Sequence, residues 1–235
     1  MCTVTYVKSQ NLSILTSNRD EQALRRAIEP RSYHIGGRNL VFPKDPQAGG
    51  TWFAVSESGT AAVLLNGAAQ KHQWNPPYRR SRGLILLDLM TQDAAAAAWE
   101  LIDLDNIEPF TVVLFESGQL FQLRWDGSVR ETTPLDADGS YIWSSAPLYT
   151  PNVRERRQDW FEKFMHFNRQ ANPQDVYDFH HYTESADTQN GLVINRNNFL
   201  KTLSITQAVV GPDQVRIRYK DLTSRQEYSH RFTVG

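Results

Sequence analysis

Residues 1–21 read MCTVTYVKSQNLSILTSNRDE and contain two runs of β-branched and apolar residues, at 2–7 and 12–17. The polar segment Ser9-Gln10-Asn11 separates the two runs, which predicts a β-hairpin at the start of the chain. A turn centred near residues 9 and 10 would place residue 2 opposite residue 17 or 18. The pattern therefore predicts that Cys2, the only cysteine of the chain, lies beside Asn18-Arg19-Asp20.

This placement would suit Cys2 to nucleophilic chemistry. A neighbouring arginine favours the thiolate form of a cysteine, and a neighbouring aspartate can orient an amine. If Met1 is removed, the free α-amino group, with a typical pKa near ~7.7 to 8.0, can act as a base beside the sulfur. The alternative is that Cys2 is a small apolar residue of the first strand. Its position directly after Met1 and opposite Arg19 and Asp20 favours the nucleophile.

The composition is that of a globular protein without a strong overall charge. The 235 residues are 40% hydrophobic and carry a net charge of −1, from 25 basic and 26 acidic side chains. This predicts one domain over residues 1–235 and no general attraction to nucleic acid. The short basic clusters at 79–82 and 154–157 are interpreted as solvated surface rather than as phosphate-binding sites.

Several other classes of protein are disfavoured. The first residues lack a basic start and a long apolar run, and no stretch is long enough to span a bilayer, so we expect a cytoplasmic location and no transmembrane segment. A single cysteine excludes an internal disulfide. The six histidines lack zinc-site spacings, and the adjacent His180 and His181 are interpreted as capping or surface residues. We expect neither a metal nor a cofactor.

Residue patterns along the chain predict an alternation of strands and helices. Two further hairpins are predicted at 52–66 and 110–125. Helices are predicted at 83–90, at 92–103 and over 152–182 with a break at Asn172-Pro173. The last strands are predicted at 200–210, 214–219 and 228–234.

This order of elements predicts an α+β protein. Each antiparallel sheet must cover both of its apolar faces, which favours two sheets packed together with helices outside, a four-layer α/β/β/α sandwich. An open two-layer α+β fold is the alternative, because element order alone does not determine the number of layers.

Several segments carry a resemblance to a known family. They are Met1-Cys2-Thr3-Val4, Thr16-Ser17-Asn18-Arg19-Asp20-Glu21, Gly49-Gly50-Thr51-Trp52, Leu64-Leu65-Asn66-Gly67 and Trp143-Ser144-Ser145-Ala146-Pro147. Together they resemble the NRDE family, the family of transport and Golgi organisation protein 2. That family is similar to N-terminal nucleophile hydrolases of the bile-salt hydrolase and penicillin acylase group, and the resemblance implies the α/β/β/α fold.

The resemblance also implies roles for individual residues. Cys2 would attack the carbonyl of a non-peptide amide, supported by Arg19 and Asp20. Asn66 would stabilise the oxyanion, and Ser145 would assist from a position where the hydrolase group has an asparagine. The predicted substrate contacts are Asn18, Trp52, Trp143 and Thr206, although Asn18 is also explained as a turn residue.

The second half of the site departs from the hydrolase group. That group has an arginine on a late strand, whereas this chain offers Lys201 and the hydroxyls of Ser204 and Thr206. The first hypothesis is an amidohydrolase acting on a small amide or acyl substrate. The second is a non-enzymatic binding or trafficking protein on the same fold, with lipid or haem as its partner. A redox-responsive thiol ranks last, because the chain has no second cysteine to resolve a sulfenic acid.

Overall fold

The computed structural model describes residues 3–233, which form fourteen strands and four helices. The strands are β1 (Thr3–Ser9), β2 (Leu12–Gln22), β3 (Ile28–Ile35), β4 (Arg38–Lys44), β5 (Phe53–Ser56), β6 (Ala61–Asn66), β7 (Phe110–Glu116), β8 (Gln119–Trp125), β9 (Arg130–Leu135), β10 (Ser140–Ser144), β11 (Asn195–Arg196), β12 (Leu200–Val210), β13 (Gln214–Asp221) and β14 (Glu227–Thr233). The helices are α1 (Arg82–Met90), α2 (Ala95–Ala98), α3 (Pro151–Phe167) and α4 (Pro173–Tyr182).

The strands form two seven-stranded antiparallel sheets. The first sheet has the order β10-β1-β2-β12-β13-β14, with the short β11 paired to β12. The second sheet runs from β3 to β9 in sequence order. The predicted N-terminal hairpin thus lies inside the first sheet, where β1 and β2 are flanked by β10 and β12.

Three apolar clusters show that the molecule has four layers. Val4, Leu15 and Ala208 of the first sheet pack with residues of the second sheet such as Val63 and Val113. A second cluster joins the outer face of the second sheet to α1 and α2, and a third joins the outer face of the first sheet to α3 and α4. The predicted α/β/β/α sandwich is confirmed, and the two-layer alternative is excluded.

Local sequence explains where the longer helices begin. Ser81 caps α1, and Thr150 caps α3 immediately before Pro151. Asn172 and Asp175 form a capping box at the start of α4, with Pro173 in the first turn. Such caps satisfy backbone N–H groups that have no partner inside the helix, and proline fits the first turn because its missing N–H is not needed there.

The predicted helix at 92–103 is wrong for most of its length. Only Ala95–Ala98 is helical, and the carboxylate of Glu116 accepts hydrogen bonds from the backbone N–H groups of Ala95 and Ala96 at 2.6 and 3.1 Å. Trp99 follows at once and is fully buried edge-on against Phe110. Packing of this tryptophan under the second sheet overrides the helix propensity of the alanine run.

The sequence prediction did not include β3, β4, β9 and β10. Of these, β3 and β9 are the two edges of the second sheet and β10 is an edge of the first. Pro30 lies in β3 and Pro134 in β9. Proline lacks a backbone N–H, so it weakens a strand pattern yet is tolerated at a sheet edge.

The register of the first hairpin also differs from the prediction. Thr3 pairs with Asn18 and Val4 with Ser17, while Ser9 pairs with Leu12. The turn is therefore centred between Gln10 and Asn11, with Gln10 in the left-handed region at a φ of 52°. This shifts the pairing by one to two residues from the predicted register, and a shift of one residue reverses the face on which a strand residue lies.

Within residues 3–233, no helix has both the length and the apolar character needed to cross a membrane.

Candidate active site

The start of β1 lies between two strands that carry predicted site residues. Thr3 pairs with Asn18 of β2 on one side and with Ser144 of β10 on the other. Arg19 and Ser145 directly follow these two partners in the sequence. Cys2 lies outside the described residues, so its predicted role as nucleophile stays a prediction.

The side chains of β2 alternate between the two faces of the first sheet. Arg19 points between the sheets, where its guanidinium lies over the ring of Trp52 at 4.5 Å from the centroid. Asn18 and Asp20 contact groups on the opposite face, beneath α4 and the segment before β11. The motif therefore divides its residues between two environments, as strand periodicity requires.

Arg19 is a buried cation. Its side chain is 3% exposed, donates a 2.7 Å hydrogen bond to the backbone carbonyl of Arg25 and lies 3.8 Å from the carboxylate of Asp45. Burial lowers the pKa of Arg19, and the charges of Glu21 and Asp45 oppose that shift. An arginine nevertheless remains protonated at ordinary pH, so a positive charge persists between the sheets at this end of β2.

Asp20 is buried and oriented by two hydroxyls. The phenol of Tyr149 donates to Oδ2 at 2.6 Å, and the hydroxyl of Thr202 donates to Oδ1 at 2.5 Å. Thr202 is also the strand neighbour of Asp20 on β12. Short hydrogen bonds of this kind stabilise the carboxylate and restrict its rotamer. The sequence did not predict Tyr149 or Thr202 as a partner of Asp20, because both residues are far from Asp20 along the chain.

The side chain of Asn18 is used within the protein interior. Its amide nitrogen donates to the carbonyls of His180 and Leu192 at 3.1 and 2.6 Å, and its oxygen lies 2.5 Å from Nδ1 of His180. Nε2 of His180 lies 2.8 Å from the hydroxyl of Thr5. Asn18 lies buried within β2, so its interpretation as a turn residue is wrong, and its side chain instead joins the sheet to α4 and to the segment before β11. Its predicted contact with substrate stays untested.

His180 is fully buried rather than a surface residue, which corrects the sequence interpretation. Burial lowers its pKa to about 3, and the charge of Arg157 contributes in the same direction. The ring is therefore neutral at pH 7. A neutral ring has one donor and one acceptor nitrogen, which matches its two partners: Nδ1–H can donate to Asn18 while Nε2 accepts from Thr5.

Arg157 is a second buried cation, so its interpretation as solvated surface is wrong. Its side chain is fully buried on α3. The guanidinium donates to the hydroxyl of Thr3 and to the carbonyls of Asn190 and Gly191, and it stacks on the ring of Tyr149 at 3.6 Å. Because these contacts join α3 to Thr3, the first described residue of β1, Arg157 holds the start of that strand against the helix.

Asn66 ends β6 and meets Ser145 across the gap between the sheets. The hydroxyl of Ser145 donates a 2.9 Å hydrogen bond to the backbone carbonyl of Asn66. Gly67, which follows Asn66, has a φ of +81°, and a Cβ on it would lie 2.3 Å from Cδ of Pro147. Only glycine permits both this conformation and this close approach. The structure thus brings the two predicted oxyanion residues together.

A small polar cavity lies beside Arg19. It has a volume of about 80 Å³, and its walls include Arg19, Trp52, Asn66 and Arg82. The side chain of Arg82 is 17% exposed and lies 3.0 Å from the carboxylate of Glu108. Burial lowers the pKa of Arg82. The interpretation of Arg82 as solvated surface is therefore wrong, and it is a wall residue that the sequence pattern did not reveal.

A larger cleft lies on the other side of Asn66. Its volume is about 320 Å³, and it is lined by Asn66, Trp143, Ser145, Arg124 and Arg154 among others. The indole nitrogen of Trp143 donates to the side chain of Gln122 at 2.9 Å, which holds the ring in the cleft wall. Asn66 lines both cavities, so it lies where a bound molecule could extend in two directions.

Thr206 lies deeper in the molecule than the other predicted substrate contacts. It is fully buried on β12 opposite Ser17, and it is not among the described residues that line either cavity. Its hydroxyl has no hydrogen-bond partner within residues 3–233. Its predicted role in substrate binding is untested.

Sequence comparison places most of the chain in one family model. The model described as transport and Golgi organisation 2 matches residues 1–221. A comparison with curated protein sequences gave no match.

Comparison with solved structures shows similarity over nearly the whole chain. The Caenorhabditis elegans orthologue of N-acylethanolamine-hydrolyzing acid amidase is 13% identical with a TM-score of 0.61, over 88% of this chain and 92% of that one. A cysteine-to-alanine mutant of the conjugated bile acid hydrolase from Clostridium perfringens is 10% identical with a TM-score of 0.62, over 98% of this chain and 92% of that one. An arginine-to-leucine variant of the same hydrolase is 10% identical with a TM-score of 0.62, over 99% of this chain and 96% of that one. These similarities show the N-terminal nucleophile hydrolase fold.

Proposed function

The chain belongs to the transport and Golgi organisation 2 family and has the fold of the N-terminal nucleophile hydrolases, and from this premise we propose that it is an amidohydrolase with Cys2 as nucleophile. The observation that carries the proposal is the gathering of Arg19, Asp20, Asn66 and Ser145 around the start of β1, the strand that Cys2 precedes. The substrate class is a small non-peptide amide.

The reaction follows from the chemistry of an N-terminal cysteine once Met1 has been removed. The α-amine accepts the thiol proton while the sulfur attacks the carbonyl carbon, which forms a tetrahedral oxyanion. When that intermediate collapses, the carbon–nitrogen bond breaks and the α-ammonium returns the proton to the departing nitrogen. Water then attacks the thioester, which releases the carboxylic acid and restores the thiol.

The described residues have distinct roles in this proposal. The buried charge of Arg19 favours the thiolate over the thiol. Asp20, oriented by Tyr149 and Thr202, holds the protonated amine. Asn66 supplies a donor to the oxyanion, and Ser145 positions Asn66 because its hydroxyl hydrogen is directed to the Asn66 carbonyl.

Two solved relatives support the choice of bond. One is an acid amidase that hydrolyses N-acylethanolamines, and the other is a hydrolase of conjugated bile acids. Both proteins hydrolyse compounds that are smaller than a protein. From this shared property we propose a small amide as the substrate class of this chain. The cleft of about 320 Å³ beside Asn66 is of a size that suits such a compound.

The experiment combines intact mass with a substrate screen. Loss of Met1 and rapid alkylation by iodoacetamide at neutral pH are expected for the wild-type chain. Any amide that it hydrolyses in a screen of N-acyl amides should not be turned over by Cys2→Ala, while Ser128→Ala, at an exposed turn, should act as wild type. Unchanged turnover by Cys2→Ala would refute the mechanism.

A second candidate function is a binding or trafficking protein that keeps the fold with a reduced site. The hydroxyl of Ser145 is committed to the Asn66 carbonyl, so its hydrogen is not directed at an oxyanion, which favours this candidate. Retained Met1, an inert thiol and binding of haem in a spectral titration or of lipid vesicles at equilibrium would support it. Absence of both kinds of binding would remove its support.

A further inference from the structure

The cleft between Asn66 and Trp143 has a charge that the proposed reaction does not use. It is bounded by the end of β6 and residues 67–69, by β8, by β10 and by the first turn of α3. Two of its lining residues are arginines, Arg124 and Arg154, and none of the described lining residues is acidic. The walls of the cleft therefore carry two positive charges and no negative one.

Arg124 reaches the cleft from β8. Its side chain is 22% exposed, and its nearest carboxylate is that of Glu131, 3.5 Å away and 53% exposed on the edge strand β9. Its Nε atom is buried and has no hydrogen-bond partner within residues 3–233. A single, half-exposed acid at this distance neutralises the guanidinium only in part, because water screens it.

Arg154 reaches the cleft from α3. One of its terminal nitrogens donates a 2.9 Å hydrogen bond to the backbone carbonyl of Ala69. Across the described part of the chain it forms no ion pair with a carboxylate, and its buried Nε has no hydrogen-bond partner. The carbonyl fixes the side chain against the segment that follows Asn66, which leaves the charge of Arg154 available to a ligand.

The same wall offers a further donor and an aromatic ring. The hydroxyl of Ser144 is buried and has no partner among the described residues. The only polar atom of the Trp143 ring is already bonded to Gln122, so the remaining ring surface is apolar. A ligand with an anionic end and an apolar or planar stem would fit both features, since arginine binds carboxylate, sulfonate and phosphate oxygens through a planar set of donors.

We infer that this cleft is a binding site for an anionic group, a carboxylate, sulfonate or phosphate, on the compound whose amide bond lies at Asn66. The inference rests on the proposed function for the position of that bond and names the class of substrate: an amide with a negatively charged substituent. Asn66 lines both cavities, so the charged part occupies the Arg124–Arg154 cleft while the remainder faces Arg19.

Binding is measured on the Cys2→Ala chain, which separates it from turnover. The probes are N-benzoylglycine, N-benzoyltaurine and inorganic phosphate, with neutral N-benzoylglycinamide as the matched uncharged compound, each titrated by calorimetry at low salt. We expect both benzoyl anions to bind at least about tenfold more tightly than the neutral amide. Competition by phosphate against either of them would identify phosphate as an additional accepted anion, whereas its absence would restrict the site to carboxylate or sulfonate.

Four further variants locate the binding. Arg124→Gln and Arg154→Gln should each reduce the preference for the anionic probes about tenfold while affinity for the neutral amide is unchanged. Arg169→Gln, an exposed position outside the cleft, is the matched control and should bind like the parent. Glu131→Gln should strengthen anion binding, because it removes the acid that partly neutralises Arg124.

Any one of three results would overturn the inference. They are equal affinity for N-benzoylglycine and N-benzoylglycinamide, no detectable binding of any anion, and a preference for the anionic probes that is unchanged in both arginine variants. The proposed hydrolase fails by a different result, the absence of amide turnover in the wild-type chain. Anion binding that depends on Arg124 and Arg154 would stand even then.

Discussion

The hydroxyl of Ser145 donates a 2.9 Å hydrogen bond to the backbone carbonyl of Asn66. Ser145 follows an edge strand of the first sheet, whereas Asn66 ends a central strand of the second. The bond therefore connects the two sheets beside Asn66, which lines both cavities. It orients the backbone at Asn66 without using the Asn66 side chain, whose amide is the donor in the proposed reaction.

Asn66 and Ser145 should differ in their effect on hydrolysis. Asn66→Ala removes the proposed oxyanion donor and should lower kcat by about 10²- to 10³-fold. Ser145→Ala removes one positioning hydrogen bond of about 1 kcal/mol and should lower kcat by less than about tenfold. Steady-state kinetics on an amide found in the screen measures both. Equal losses would show that Ser145 itself contacts the oxyanion.

Gly67 should be intolerant of a side chain. Gly67→Ala imposes a Cβ at a φ of +81° and drives it into the ring of Pro147, so we expect it to destabilise the fold by more than about 1 kcal/mol and to impair turnover. Gly118→Ala has a similar φ of +77° with no atom within 4 Å of the added Cβ, so it carries only the backbone strain. Urea unfolding of the two variants compares them, and equal stability losses would contradict a role for the Pro147 contact.

Arg157 should be far more important to stability than its neighbour in sequence. Arg157→Met leaves the hydroxyl of Thr3 and the carbonyls of Asn190 and Gly191 without their donor, which should lower the free energy of unfolding by about 3 kcal/mol or more. Arg156→Met, on the same helix with a side chain 44% exposed, should change it by less than about 1 kcal/mol. Urea denaturation measures both, and similar effects would refute the buried role.

His180 should make the fold sensitive to acid. Its pKa is about 3 in the folded chain and about 6.5 in the unfolded one, so between these values the unfolded chain binds more protons. Stability should therefore fall as pH falls from about 6.5 towards 3, by up to about 1.4 kcal/mol per pH unit from this group.

Replacing His180 tests this pH dependence. His180→Gln retains a donor and an acceptor but cannot titrate, so its unfolding free energy should change less between pH 7 and pH 5 than that of the wild type. His166→Gln, at an exposed position, should keep the wild-type profile. An unaltered slope in His180→Gln would show that another group causes the acid sensitivity.

Local patterns were sufficient for much of the fold. The hairpins at 110–125 and at the N-terminus follow from alternating apolar residues and turn residues, and the boundary between α3 and α4 follows from Asn172-Pro173. The patterns failed where an element depends on its surroundings. Trp99 ends the alanine helix because it packs against Phe110 under the second sheet. The edge strands β3 and β9 each contain a proline, which weakens the strand pattern in their sequence.

The candidate site divides in the same way. The motif matches identified Arg19, Asp20, Asn66 and Ser145, which the structure gathers at one end of β1. The motif matches did not identify Tyr149, whose contact with Asp20 spans 129 residues of sequence. They did not identify Arg82 or Arg157 either, because a charged residue on a helix has the same local pattern whether it faces water or the interior. Only the contacts of the folded chain distinguish the two cases.

The sequence by itself determined the family, the α+β class and the residue types at the start of the first hairpin, since these follow from motifs and from periodicity within short segments. The tertiary structure alone decided which side chains are buried and which meet. The Asn66–Ser145 bond joins residues 79 positions apart, and the Tyr149–Asp20 bond joins residues 129 apart. Contacts over such separations depend on how the sheets and helices pack, which no short segment encodes.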